Sequence, residues 1–297
     1  MKILSITILV SLTFGLTLTK SAAEDADGKL RIVVFGAHPD DAQYKAGGVA
    51  AKWAKLGHHV KLVSVTNGDI GHWQSAGGPL AKRRLEEVKK VDEILGVATE
   101  VLDIHDGELM PTLENRKKVI RLIREWNADI VMSHRPNDYH PDHRYTGVLV
   151  QDAAFMVAVP FIVPDEEPLD KNPIFLYYSD RFQTPNPFQA DIVVDIDPVI
   201  DQTVDALFHM HSQHIEGGAL GSESENTWDS ESERQAMNKK EREDLYRRYQ
   251  RVADQYRSEL IDRYGKAEGG KVKHALAFEV CEYGRQPSKE ELRRLFP

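Results

Sequence analysis

A single cysteine, Cys281, occurs in the 297 residues of the chain. An internal disulfide is therefore excluded, so the fold must rest on its core and on any metal it binds. Cys281 itself reads as a small buried apolar side chain and not as a nucleophile. Basic residues are also in deficit: 38 Lys and Arg stand against 47 Asp and Glu, for a formal net charge of −9. That balance argues against nucleic acid or an anionic membrane surface as the main partner. Long apolar runs are missing beyond the N-terminus. The one that exists, from Ile3 to about Leu18, follows Lys2, is broken by Ser5, Thr7, Ser11, Thr13 and Gly15, and ends at Ser21-Ala22-Ala23. Its length and small-residue end fit an export signal over residues 1–23 better than a membrane span. No cysteine lies near that end to carry a lipid anchor. The expectation is a secreted or periplasmic protein with no stable membrane span after signal cleavage. Nothing in the sequence fixes an oligomeric state.

What is present is a regular alternation of elements. Residues 24–297 suffice for one large domain with a well-buried core. Arg31 to Phe35 is a β-rich apolar run, followed by an Ala- and Lys-rich helical stretch from Asp41 to Lys55. Val60 to Val65 gives a second strand, and Leu85, Val88, Val91 and Leu95 mark a helix that stops at Gly96. Glu100 to Ile104 is a third strand, and Val119, Leu122, Ile123 and Trp126 form one helical stripe before a fourth strand at Asp129 to Ser133. Strand, helix, strand in this rhythm predicts right-handed βαβ units, hence a Rossmann-like, doubly wound α/β fold with a mainly parallel sheet. Past Pro160 the pattern loosens into an extended C-terminal helical and strand region. Strands are expected near Phe175 to Tyr178, Asp191 to Asp195 and Ala275 to Val280, with helices carrying Ile200, Val204, Leu207 and Phe208 and, later, Tyr249, Val252, Ala253, Tyr256 and Leu260. Residues 216–244 are polar and acidic, without a core pattern, and read as a surface excursion.

Two motifs carry chemistry. Gly36-Ala37-His38-Pro39-Asp40-Asp41 stands at the end of the first strand, and His140-Pro141-Asp142-His143 follows the fourth. In each, a proline follows a histidine where a helix should begin, so the next residues form its first turn. The i, i+3 spacing brings His38 near Asp41 and His140 near His143. In a doubly wound sheet of order 3-2-1-4-5, both motifs fall outside the carboxyl ends of neighbouring strands, where such folds build their sites. Imidazoles with a carboxylate, leaving positions open for water and substrate, are the donors of a catalytic zinc centre.

On these motifs the sequence resembles the PIG-L/LmbE-like N-deacetylase family, which carries Ala-His-Pro-Asp-Asp and then His-Pro-Asp-His. Further similarity lies in Thr66-Asn67-Gly68-Asp69-Ile70-Gly71, in Arg84-x-x-Glu87 with Leu95-Gly96, and in His211-Ser212-Gln213. The resemblance implies a zinc ion (Zn2+) held by His38, Asp41 and His143, Asp40 as general base, His140 steadying the oxyanion, and Asp142 orienting a histidine. It also implies removal of an acetyl or other acyl group from the amide nitrogen of an amino sugar or glycoconjugate, with Arg84 and Asp106 contacting that substrate. Asp69 and His72 read equally well as pocket residues or loop caps, while His58, His59, His209 and His211 have ordinary surface or core readings. Many relatives place a glutamate one or two positions after the Asp-Asp pair, where this chain has Ala42 and Gln43. The tyrosine that often precedes the second motif has Tyr139 as its nearest counterpart.

Two other classes fit parts of the pattern. His38-x-Asp40 with a distant histidine could form the triad of a non-haem Fe(II) oxygenase, on an antiparallel β-sandwich. A sugar-binding protein could keep the pocket with little or no turnover.

Overall fold

The computed structural model describes residues 28–221 and 230–297. The expected export signal lies outside the described residues. The strands are β1 (Arg31–Gly36), β2 (His59–Ser64), β3 (Ala98–Val101), β4 (Ile130–Ser133), β5 (Ile174–Tyr178), β6 (Ile192–Asp195) and β7 (Ala275–Val280). The helices are α1 (Asp41–Lys55), α2 (Gly78–Leu95), α3 (Leu113–Glu125), α4 (Pro141–Met156), α5 (Ile200–Leu207), α6 (His211–His214), α7 (Glu231–Gln255), α8 (Arg257–Gly269) and α9 (Lys289–Leu295).

The strands form one sheet in the order β3-β2-β1-β4-β5-β7-β6. β1 to β5 run parallel, and β7 alone is antiparallel to its two neighbours. The sheet is therefore the expected doubly wound one, and an antiparallel sandwich for the oxygenase alternative is not what the chain builds. Among the described residues no helix is long and apolar enough to cross a membrane.

Successive side chains of a strand point to opposite faces, so a strand buried on both sides reads as an unbroken apolar run. In β1, Ile32 and Val34 enter one core with Val49, Trp53, Val88, Val91 and Val204 from α1, α2 and α5. Val33 and Phe35 enter the other, with Val119, Ile120 and Ile123 of α3 and Leu149, Val150 and Ala153 of α4. A third cluster joins β6 and β7 to α7 and α8 through Val193, Ala253, Leu260 and Ala277. This double burial goes with an interior place in the sheet, where β1 lies between β2 and β4.

Local signals set the helix ends. Gly96 takes a left-handed conformation (φ 77°) that lets its N–H reach back to close α2. Thr112 caps α3 by accepting the Asn115 N–H at 3.2 Å. The two prolines behave differently from each other: α4 begins at Pro141 itself, whereas α1 begins at Asp41, two residues after Pro39. Residues 231–244, part of the expected surface excursion, form the first half of the 25-residue helix α7, whose buried residues Leu245, Tyr249 and Ala253 all lie in its second half.

Candidate metal centre and active site

β1 and β4 are adjacent and parallel, with Val34 opposite Met132, so their carboxyl ends open on the same edge of the sheet. Gly36 ends β1 where a Cβ would lie 2.7 Å from both the Asp41 Cβ and the Ala42 N. Only glycine lets α1 start this close to the strand, and that closeness places Asp41. On the other side, a Cβ at Gly147 would meet the Arg135 carbonyl at 2.8 Å, so α4 packs directly on the chain leaving β4 and carries His143 to the same edge.

Three donor atoms converge there. His38 Nδ1 is 3.2 Å from His143 Nε2, and each of them is 3.4 Å from Asp41 Oδ2. A tetrahedral ion with ligands at roughly 2.0–2.1 Å separates them by about 3.3 Å. The predicted trio thus has the spacing of one face of such a tetrahedron.

Other metal-capable groupings overlap this one: His38–His140–His143, Asp41–His134–His143 and His38–Asp106–Asp142. Hydrogen bonds distinguish them. His134 Nε2 accepts the Ala37 N–H at 3.3 Å, His140 Nδ1 accepts the Asp142 N–H at 3.2 Å, and Asp142 Oδ2 accepts the Gly107 N–H at 2.6 Å. The two imidazole lone pairs are thereby in use, whereas a carboxylate oxygen keeps a second one, as Asp41 Oδ2 does although it accepts the His38 N–H at 2.8 Å. By contrast, His38 and His143 each turn the far nitrogen to a carboxylate and the near one to the shared point. His38 Nε2 lies 3.2 Å from Asp142 and 3.0 Å from Asp106, and His143 Nδ1 lies 3.0 Å from Asp138. A carboxylate behind the imidazole fixes its tautomer and makes the other nitrogen a better ligand.

The electrostatics agree with a cation at this point. Burial opposes charge on His38, yet Asp106, Asp142 and Asp41 around it hold its ring well above the usual imidazole range. His143 is likewise raised against its own burial, by Asp41 and Asp138. Burial would raise Asp41, but His143 and His134 hold its carboxyl well below the carboxylate range. His134, fully buried, is pushed down by that burial; it stacks on His143 with ring centres 4.3 Å apart and approaches Asp41 at 3.3 Å.

Asp40, His140, Arg84 and Asp106 line a cleft of about 980 Å³ over this centre. Asp40 occupies the N-cap position of α1, but its carboxyl group makes no capping hydrogen bond. Burial first, and then the charge of Asp41, push it up to about 6. His140 caps α4 through its Nδ1, which leaves the proton on Nε2, so the ring is a hydrogen-bond donor. Burial, followed by repulsion from His38 and His143, pushes His140 down and keeps it neutral. Its ring meets that of His38 edge-on at 4.6 Å.

Arg84 is 2% exposed and reaches the cleft, where its charge acts on Asp40 while its Nη2 donates to the Gly71 carbonyl. Asp106 also reaches the cleft wall, but its carboxylate is engaged by His38. Asp142 is fully buried, with its Oδ2 3.2 Å from His38 Nε2.

The supporting motifs are scaffolding. Thr66 Oγ1 donates to the Ala37 carbonyl at 2.8 Å, and Asp69 accepts the Asp106 N–H at 3.1 Å, which ties the loops after β2 and β3 to the first motif. Glu87 accepts from both the backbone and the hydroxyl of Ser212, and Gln213 donates to the Pro39 carbonyl at 2.6 Å. His72 takes the loop-cap role: its Nδ1 accepts the N–H groups of Gln74 and Ser75. Gln43 faces away from the centre, donating to Asp92 of α2 at 3.0 Å, and Ala42 is buried in the core. The departure at these two positions therefore falls on the α1–α2 contact. Tyr139 is 71% exposed, with its ring 5.6 Å from that of His143.

The sequence reading missed His134 and Asp138. His134 follows β4 directly, and the strand-end rule that located His140 and His143 also points to it. Asp138 stands two residues before the second motif, at the reach of a side chain that braces it.

Residues 33–154, which hold both motifs, match the family described as PIG-L, GlcNAc-PI de-N-acetylase. Diacetylchitobiose deacetylase of Thermococcus kodakarensis is 32% identical over 197 residues, covering 63% of this chain and 71% of the relative. The chain belongs to the PIG-L family. Another relative, 4-oxalmesaconate hydratase of Pseudomonas putida, is 27% identical over 189 residues, or 61% of this chain and 73% of that one. Among solved structures, N,N'-diacetylchitobiose deacetylase from Pyrococcus horikoshii superposes with a TM-score of 0.62 at 22% identity, over 85% of this chain and 84% of that one. This last likeness bears on the fold, whose doubly wound sheet the family member shares.

Proposed function

We propose that the protein is a zinc-dependent N-deacylase that removes an acetyl or similar acyl group from an amino sugar or glycoconjugate, and that it acts outside the cytoplasm. The observation that carries the reading is the meeting of His38 Nδ1, His143 Nε2 and Asp41 Oδ2, with Asp40 and His140 lining the same cleft. The deacetylase relative supports the substrate class, and the segment 1–23 supports export.

His38, Asp41 and His143 would hold the metal. When bound, zinc supplies Lewis acidity, making a water more acidic and polarising the acyl carbonyl. Asp40, raised toward neutrality, accepts a proton from the attacking water. A C–O bond forms at the acyl carbon, and His140 donates its Nε2–H to the oxygen that gains charge. Asp40 then returns the proton to the nitrogen as the C–N bond breaks, giving a carboxylic acid and an amine, and the acid's proton passes to the amine to leave a carboxylate and an ammonium. Asp106, Asp142 and Asp138 hold the two imidazoles throughout.

Amine release from N-acetylated glucosamine derivatives, with and without prior chelation, tests the proposal. Release that disappears on chelation and returns with zinc supports it. No release from free or conjugated acylated amino sugars at full metal loading overturns it. A second reading, addition of water to an unsaturated carboxylic acid, draws on the hydratase relative and on the cations in the outer cleft. It predicts loss of the substrate's ultraviolet absorbance with no amine formed.

A further inference from the structure

The outer cleft collects cations on an otherwise acidic chain. Lys45 stands one turn after Asp41 on α1, Arg181 follows β5, and Arg248 and Arg251 lie three residues apart on α7; all four line the cleft. Residues three apart on a helix share a face. Arg248 is held over the Tyr44 ring with its guanidinium carbon 4.5 Å from the ring centre, and the Lys45 Nζ donates to the Ser179 carbonyl at 3.0 Å.

The outer acids are already committed. Asp138 pairs with His143 at 3.0 Å, Asp180 with Arg135 at 2.7 Å and Asp244 with Arg247 at 2.9 Å. Among the described residues, none of the four cations forms an ion pair with a carboxylate. Their company has a cost: burial pushes the Lys45 ammonium down and Arg248 adds to that, although Asp41, Asp138 and Asp180 offset part of it. Burial and the same Arg248 push the neighbouring His214 down to about 4. Like charges gathered in a cleft beside a reaction centre favour a ligand of the opposite sign.

We propose that Lys45, Arg181, Arg248 and Arg251 form an anion subsite, so that the enzyme prefers acylated amino sugars bearing a carboxylate or phosphate on the group next to the acylated unit. The proposal rests on the deacylase reading for the position of the amide and on this charge arrangement for the anion. Guanidinium groups suit either oxyanion, because both accept paired N–H donors.

The test compares three probes on the zinc-loaded full chain: diacetylchitobiose as the neutral one, an N-acetylglucosaminyl-glucuronate disaccharide, and N-acetylglucosamine 1-phosphate. At low salt, kcat/KM for at least one anionic probe is expected to exceed the neutral value tenfold or more. The larger of the two anionic values assigns the oxyanion as carboxylate or phosphate. In Arg248→Gln/Arg251→Gln the anionic-to-neutral ratio is expected to fall toward one, whereas Lys240→Gln, an exposed cation of α7 outside the cleft, keeps it. Equal rates on neutral and anionic probes in the unmodified protein overturn the subsite while leaving the deacylase reading intact. Calorimetric binding of the same probes to Asp40→Asn reads the subsite independently of turnover. Anion-selective binding that the double variant loses, with no cleavage by the unmodified protein, upholds the subsite and overturns the deacylase reading. No selectivity in binding overturns the subsite whatever the rates show.

Discussion

His143 Nε2 lies 3.2 Å from His38 Nδ1 although 105 positions separate the two residues, and each ring has a carboxylate behind its other nitrogen. Two imidazoles turned toward one point from adjacent strand ends make a candidate ligand pair, which the loss of either member would destroy. His38→Ala and His143→Ala are each expected to lower bound zinc at least tenfold, as read by metal analysis of the purified protein. Full loading of either variant would remove that residue from the ligand set.

Asp142 acts through His38. Asp142→Asn keeps the size of the side chain but offers an amide where the ring Nε2 meets a carboxylate oxygen at 3.2 Å. Metal affinity is expected to fall about 10–100-fold, in line with the loss of a carboxylate behind a ligating imidazole. A chelator competition titration measures it, and unchanged affinity would assign the orienting role to Asp106 alone.

His140 has its Nδ1 committed to capping α4, so its Nε2–H is the part left for chemistry. His140→Ala is expected to reduce kcat by about 10²–10³-fold, the loss usual for one oxyanion donor. Bound zinc should stay at the unmodified level, and a parallel loss of metal would instead make His140 a ligand.

Burial raises the Asp92 carboxyl from 3.8 to about 7 despite donors from Thr99 and Gln43. The folded state then binds the proton more tightly than the unfolded one. Stability from this group is present below about pH 4 and is lost as pH rises to about 7, at roughly 1.4 kcal/mol per unit. Asp92→Asn removes the dependence, so its advantage over the unmodified protein should grow between pH 4 and 7 and level off above. Urea titrations across that range check this, and a pH-independent difference would contradict it.

Much of this arrangement is legible in the sequence because the sheet is buried on both faces. Runs such as Ile32-Val33-Val34-Phe35 cannot be exposed, and their alternation with helical stripes sets the strand order that joins β1 to β4. The ligands follow, since short loops at neighbouring strand ends leave little freedom. What the sequence hides is pairing that has no period. Nothing in the sequence pairs the Asp106 carboxylate with His38, 3.0 Å away, and His134 is one histidine in a loop until the Ala37 N–H is seen to bind it. Helix α7 hides for a different reason: its first half is charged and exposed, with no apolar stripe to mark it, and only Leu245, Tyr249 and Ala253 bury. Gln43 looks like a lost carboxylate in the sequence, whereas the fold turns it toward Asp92 and away from the metal ligands.

Asp40→Asn is the decisive variant for amide cleavage at this centre. It removes the proton acceptor, leaves His38, Asp41 and His143 in place, and separates metal binding from turnover. Zinc content and amine release should be measured on the same preparation. Zinc is expected at the unmodified level, with amine release lowered by at least 10²-fold. Release within a few-fold of the unmodified protein at full zinc loading would show that Asp40 is not the base and would contradict proton transfer through it.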